Sequence, residues 1–189
     1  MEEKEKIKKV EQQLRQTYAQ IVWTHKIQEK QADIFRKRHN CFNVAGIIAA
    51  SLTSSGIIAS FFTDSNWVRI ITAVISFIAL FLNLYLKSYD LSSLASEHKK
   101  SALELLSIRN RLTSTLTDIK LEELGLKEIK AIRDKYLEEL DTIYRGCRDA
   151  GDKAVCKARE SLTNIQDNSF SEEEIDSYLP LYTKKGGVK

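Results

Sequence analysis

Two apolar runs stand back to back between Cys41 and Leu86. From Cys41 to Phe62 there is no Asp, Glu, Lys, Arg or His. The polar residues Thr63-Asp64-Ser65-Asn66 follow, and Trp67 to Leu86 is apolar again with one charge, Arg69. A helix rises about 1.5 Å per residue, so each run reaches about 30 Å, the thickness of a bilayer's hydrocarbon core. A link this short leaves room only for an antiparallel turn. The pattern predicts a two-transmembrane helical hairpin, with spans at 41–62 and 67–86 and a turn at 63–66. A hairpin buried in a soluble bundle would need other apolar helices to wrap it, and the flanking sequence offers only amphipathic stripes.

Those stripes predict long helices on both sides of the hairpin. In residues 1–40, Ile7, Val10, Leu14, Tyr18, Ile21, His25, Ala32 and Phe35 recur at steps near three and four among Lys, Glu and Gln. No Gly or Pro separates this helix from the first span, so one continuous rod is expected. The stripe is narrow, as in a coiled-coil seam, and its partner is either the C-terminal region or the same helix of another subunit. After Leu86 the helix is again expected to continue, through a wider band that includes Leu91, Leu94, His98, Leu105 and Leu112. The hydroxyl-rich and β-branched stretch Thr113–Thr117 predicts a weak point. The period resumes from Leu121 to Tyr144, and Asp152 opens a short helix to Ile165. Residues 87–168 thus form a helical region. Residues 169–189 form a short helix opened by a Ser171–Glu174 capping box, closed at Leu179-Pro180-Leu181, and a tail.

The overall composition conceals this layout. Hydrophobic residues make up 43% and charged ones 29%, ordinary values, because nearly all charge lies outside the two runs. One Pro and seven Gly leave helices largely uninterrupted, and the fold class is all-α. Each amphipathic band is thin for a monomeric domain, so a homo-oligomer is expected to complete the burial. The net charge of +3 is too small for a general nucleic-acid binder, and no direct nucleic-acid binding is expected. The first forty residues are too long and too acidic for a secretory leader. Arg36, Lys37 and Arg38 precede the first span and Lys87 follows the second, which puts both termini in the cytoplasm by the positive-inside rule. Trp67 and Tyr85 stand where interfacial aromatic anchors belong, and Arg69 is placed to extend to headgroups.

Inside the spans, side-chain size and polarity are segregated. Ala45, Ala49, Thr53, Gly56 and Ser60 share one face of the first span, which lets another helix approach closely. In the second span Thr72, Ser76 and Asn83 form a polar stripe. It serves either to hydrogen-bond across the hairpin or to line a polar lumen in an oligomer. Elsewhere there is little chemistry. Cys41, Cys147 and Cys156 are an odd number without metal-ligand spacing, and Cys41 reads as a small helix residue more than a palmitoylation site. His25, His39 and His98 are far apart in sequence, with His25 on the seam. No phosphate loop, nucleophile elbow or CxxC is present. No enzyme, catalytic residue, metal or cofactor is expected.

The run Trp23-Thr24-His25-Lys26-Ile27-Gln28-Glu29-Lys30-Gln31-Ala32-Asp33 resembles the SLATT family. The likeness extends through Leu52-Thr53-Ser54-Ser55-Gly56-Ile57-Ile58, the second span and Leu94-Ala95-Ser96-Glu97-His98-Lys99-Lys100. Phe170-Ser171-Glu172-Glu173-Glu174-Ile175-Asp176 is similar to the subgroup found beside reverse transcriptases. The resemblance implies a two-transmembrane effector of the bacterial inner membrane, acting in anti-phage or other conflict systems. Such an effector opens a pore or disrupts the membrane when a partner fires. The partners implied are the lipid bilayer and a nucleotide-second-messenger synthase, SLOG sensor or reverse transcriptase encoded nearby. The rival reading is a passive membrane anchor or scaffold that presents a cytoplasmic coiled-coil platform.

Overall fold

The computed structural model describes residues 2–63, 65–163 and 175, and its regular elements are all α-helices. They are α1 (Glu2–Phe62), α2 (Asn66–Ser88), α3 (Leu91–Lys120), α4 (Leu126–Gly146) and α5 (Asp152–Thr163). The Ser171–Glu174 capping box, the closing Leu179-Pro180-Leu181 and the tail lie outside the described residues.

The organising element is α1, a helix of 61 residues and about 90 Å. It runs without a break from the charged N-terminal stripe through the apolar stretch, which contains no Pro and keeps its glycines inside helical turns. α2 and α3 lie along it one after the other. Phe42 meets Tyr85, and Gly56 meets Thr72, so α2 pairs antiparallel with the C-terminal third of α1. Lys4 pairs with Glu122 and Gln28 with His98, so α3 runs antiparallel along the remainder.

The helix expected to continue past Leu86 is interrupted. Tyr89 and Asp90 leave helical geometry, and Asp90 becomes the N-cap of α3, its Oδ1 accepting from Ser93 N at 2.9 Å. A short acidic side chain placed three residues before an unpaired backbone N–H satisfies that donor and starts a new helix. Conversely, the weak point expected at Thr113–Thr117 is absent, and α3 continues to Lys120. The Thr113, Ser114, Thr115 and Thr117 hydroxyls donate to carbonyls four residues back, an arrangement a helix accommodates. α3 ends where Glu122 takes a φ of 57°, with Glu122 N on Ile119 O and Glu123 N on Asp118 O, both 3.1 Å. These two bonds form a Schellman motif, and they delay the next helix from Leu121 to Leu126.

α4 turns back along α3, with Thr115 Oγ1 3.0 Å from the Tyr136 hydroxyl and an Arg111–Glu139 ion pair. It runs parallel to α1, since Arg133 reaches Gln13 and the Arg148 carbonyl reaches Gln28. The stripes of α1, α3 and α4 bury one another within a single chain. Val10, Leu14, Ile21, Leu105, Ile108, Leu112, Ile119, Ile129, Tyr136 and Leu140 form the buried cluster. α5 continues beyond α4 against the middle of α1, burying Ala154, Ala158 and Ser161.

Candidate functional site

Two regions carry the residues singled out by sequence. The first is the contact between α1 and α2. On α1 the side turned to α2 is built from Phe42, Ala45, Gly46, Ala49, Thr53, Gly56 and Ser60, all buried or half-buried. Every residue of the expected small face therefore lies at this contact, and Gly46 and Phe42 join it. Of the two glycines on this face Gly56 is the more tightly approached: an added Cβ would stand 3.0 Å from Thr72 Cγ2 and 3.1 Å from Thr72 Cβ. On α2 the contact is made by Val68, Thr72, Ile75, Ala79, Leu82 and Leu86. The stripe Thr72, Ser76, Asn83 lies along the edge of this face. Thr72 is half-buried, while Ser76 and Asn83 are exposed.

Among the described residues, the hydroxyls on this face bond within their own helix and not across to the other. Thr72 Oγ1 donates to Val68 O at 2.8 Å and Thr53 Oγ1 to Ala49 O at 2.9 Å. Ser51, Ser54, Ser55 and Ser60 likewise donate to carbonyls of their own helix. Each is thereby satisfied without water. Arg36, Lys37, Arg38, Trp67, Arg69 and Lys87 are exposed, whereas Tyr85 is half-buried, its ring edge-on to Phe42 at 5.0 Å.

The second region is a polar layer inside the bundle, between the apolar cluster and the start of the apolar stretch. It unites Trp23–Asp33 with Leu94–Lys100, segments seventy residues apart. Gln28, 4% exposed, is its centre. The His98 Nδ1–H donates to Gln28 Oε1 at 2.5 Å, and Gln28 Nε2 donates to the Arg148 carbonyl at 3.1 Å. The carbonyl contact fixes which way the amide points, and so fixes the His98 tautomer. Gln31 Oε1 accepts from Gly151 N at 3.1 Å, tying the α4–α5 corner to α1. Phe35 packs on His98 with ring centroids 5.5 Å apart, and Arg148 pairs with Glu97.

Charge is also buried here. Lys26 Nζ, on a side chain 6% exposed, donates to Glu29 Oε2 at 2.9 Å, and Lys99 lies 3.8 Å from the same carboxylate. Burial alone pushes the Glu29 carboxyl up. The Lys26 hydrogen bond and the charges of Lys26, His25 and Lys99 more than offset it, and Glu29 sits below its ordinary value. Burial holds both histidines below theirs. Arg148 adds to the effect at His98, and at His25 burial outweighs the opposing pull of Glu29. His25 Nδ1 is buried and has no hydrogen-bond partner among the described residues.

Sequence periodicity overlooked Gln28 and Gln31. The signal was nevertheless present, because Gln28 fills the seam step between His25 and Ala32. Among the described residues, no group of three or more His, Cys, Asp or Glu side chains is placed to hold a metal ion.

A family model, the SMODS and SLOG-associating 2TM effector domain family 4 (SLATT_4), matches residues 10–174. The chain belongs to the SLATT family. No curated protein and no solved structure matches it. The matched segment includes both apolar helices and the polar layer, so the layer is part of the SLATT domain and not an appendage to it. α1 and α2 are long and apolar enough to cross a membrane, and only 11% and 6% of their most apolar windows are buried. With the family description, this marks a membrane protein and an effector domain of the SMODS- and SLOG-associated class.

Proposed function

We propose that this SLATT chain is a membrane effector of a bacterial anti-phage or conflict system. It is a two-span hairpin of the inner membrane with both termini cytoplasmic, and it assembles as a homo-oligomer. A triggered partner causes it to open a pore or disrupt the bilayer. The observation that carries this reading is the apolar surface of α1 and α2, which no other element among the described residues covers. Exposed Ile47, Ile58, Phe77 and Phe81 on a folded chain require lipid or further copies as solvent.

The transmission path is α1 itself. One rod carries the polar layer at Gln28 and the small-residue face from Ala45 to Ser60. Re-packing of the layer by a bound partner would turn or shift the rod, and with it the face that holds α2. The interruption at Tyr89–Asp90 lets α2 follow without dragging α3. Such gating needs a partner that binds the two arrangements unequally. A synthase of nucleotide messengers, a SLOG sensor or a reverse transcriptase encoded nearby are the candidates, the last expected for the subgroup the tail resembles. The polar edge Thr72, Ser76 and Asn83 would face water in the open assembly.

Membrane potential tests this, read with a voltage-sensitive dye in bacteria carrying the protein and its neighbouring genes during phage challenge. Wild type should depolarise the cells, and a Ser76→Leu/Asn83→Leu variant at equal membrane level should not. Equal depolarisation by both would remove the stripe from the mechanism. Absence of depolarisation under challenge would leave the anchor and scaffold reading in place of the effector.

A further inference from the structure

A groove of about 800 Å³ lies between α1 and α3 at the end of the bundle next to the apolar stretch. Arg36, His39 and Asn40 line it from α1, and Ser96, Lys99 and Lys100 from α3. The motif Leu94–Lys100 is thus divided by the helical period. His98 faces inward to Gln28, while Ser96, Lys99 and Lys100 turn to the groove. The lining itself carries three permanent cations and one carboxylate, Glu104, which stands 4.0 Å from Lys100. Arg36 is held by Asp33 at 2.7 Å, which fixes its position, and Lys99 is 3.8 Å from Glu29. The two lysine pairs are at the outer limit of ion-pair distance, so both ammonium groups keep donors to offer.

The position of the groove selects its occupant. Asn40 immediately precedes the apolar stretch, and Ser92, also on the lining, follows the break that ends α2. The groove therefore opens at the level where the exposed apolar surface of α1 and α2 begins. A cationic rim joined to an apolar surface fits an amphiphile with an anionic head. A soluble nucleotide would look for aromatic faces to stack on, and among the described residues His39 is the one aromatic ring on the lining.

We propose that this groove binds the phosphate headgroup of an anionic phospholipid drawn from the adjoining leaflet. Lys99, Lys100 and Arg36 contact the phosphate and Ser96 the glycerol side. The inference rests on the reading of α1 and α2 as spans. A headgroup held there ties α1 to α3 at the end of the bundle next to the spans.

The test uses the full chain reconstituted in nanodiscs of equal phosphatidylglycerol and phosphatidylcholine, with native mass spectrometry of the lipid that stays bound. Wild type should retain phosphatidylglycerol in preference. Lys99→Gln/Lys100→Gln should reduce that preference by about an order of magnitude. Lys127→Gln/Lys130→Gln, remote on α4, should leave it unchanged. Equal retention of the two lipids by wild type, or an unchanged preference in Lys99→Gln/Lys100→Gln, overturns the proposal. Loss of the retained phosphatidylglycerol to millimolar ATP would assign the groove to soluble phosphates and overturn it too. Recovery of the chain in the soluble fraction before reconstitution defeats the membrane reading itself, a failure distinct from absent lipid preference in a membrane-embedded chain.

Discussion

Gly46 and Gly56 occupy the same face of α1, yet they meet α2 under different constraints. At Gly46 the nearest atom to an added Cβ is Asn83 Oδ1 at 3.7 Å, an ordinary contact. At Gly56 the Thr72 Cβ lies at 3.1 Å, and rotation about χ1 cannot move that atom away. Gly56→Ala should therefore cost about 1–3 kcal/mol by overpacking, while Gly46→Ala should be neutral or slightly stabilising through helix propensity. Adding Thr72→Ala to Gly56→Ala should recover part of the loss. Denaturant unfolding of the chain in detergent micelles compares them, and equal stability of the two single variants would refute the register between α1 and α2.

His25 and His98 bear on pH in a defined direction. Burial lowers both below the ordinary value of 6.5, so the unfolded chain takes up their protons first as pH falls. Stability from these groups is complete above about 6.5. It declines as pH drops from there towards the lowered folded values. Glu29 and Glu139 are held below 4.5, so their contribution is lost only at more acidic pH. Unfolding measured from pH 8 to 5 should show the decline beginning near 6.5. His25→Leu/His98→Asn, which removes both titrations and keeps a donor near the Nδ1 position, should flatten it. Persistence of the full decline in that variant would assign it to other groups.

At the scale of elements, the ends of α3 decide the architecture. Asp90 starts it and the Schellman bonds at Glu122 and Glu123 finish it. Glu122 adopts a left-handed φ that costs a non-glycine residue about 1 kcal/mol, and its ion pair with Lys4 is highly exposed and worth little. Glu122→Gly should raise the melting temperature by about 2–4 °C, whereas Glu122→Ala should not. A thermal melt in which both variants lose stability would show that the Lys4 pair matters more than the backbone. The same element explains why the expected junctions shifted. Tyr89 carries an apolar ring and gives no sign of a helix end, and Asp90 marks a start only once α3 has a direction to take along α1. The hydroxyls of Thr113–Thr117 signal weakness in isolation, but Thr115 is buried against Tyr136, and tertiary packing outweighs propensity.

At the scale of the whole molecule, the chain divides its burial unevenly. The bundle of α1, α3 and α4 closes on its own ten-residue cluster, while α1 and α2 beyond Cys41 bury chiefly small side chains against each other. The large residues Ile47, Ile48, Phe61, Phe62, Phe77 and Phe81 remain outside. This asymmetry is the opposite of a globular protein's, and it follows from hydrocarbon giving bulky side chains no reason to turn inward.

The sequence by itself determined the helical class, the two apolar stretches and the small-residue face. Each depends on period and side-chain size, which are local properties of a helix. It also carried the SLATT resemblance, in two motifs whose spatial relation it did not reveal. Only the tertiary structure decided that Trp23–Asp33 and Leu94–Lys100 meet, with Gln28 bonded to His98 and to the Arg148 carbonyl. It likewise decided that the stripe of α1 finds its partners within the same chain, and that Lys99 and Lys100 share a groove with Arg36. Those are relations between residues up to 120 positions apart. They depend on where helices end and how they turn back, and no periodicity within one helix encodes that.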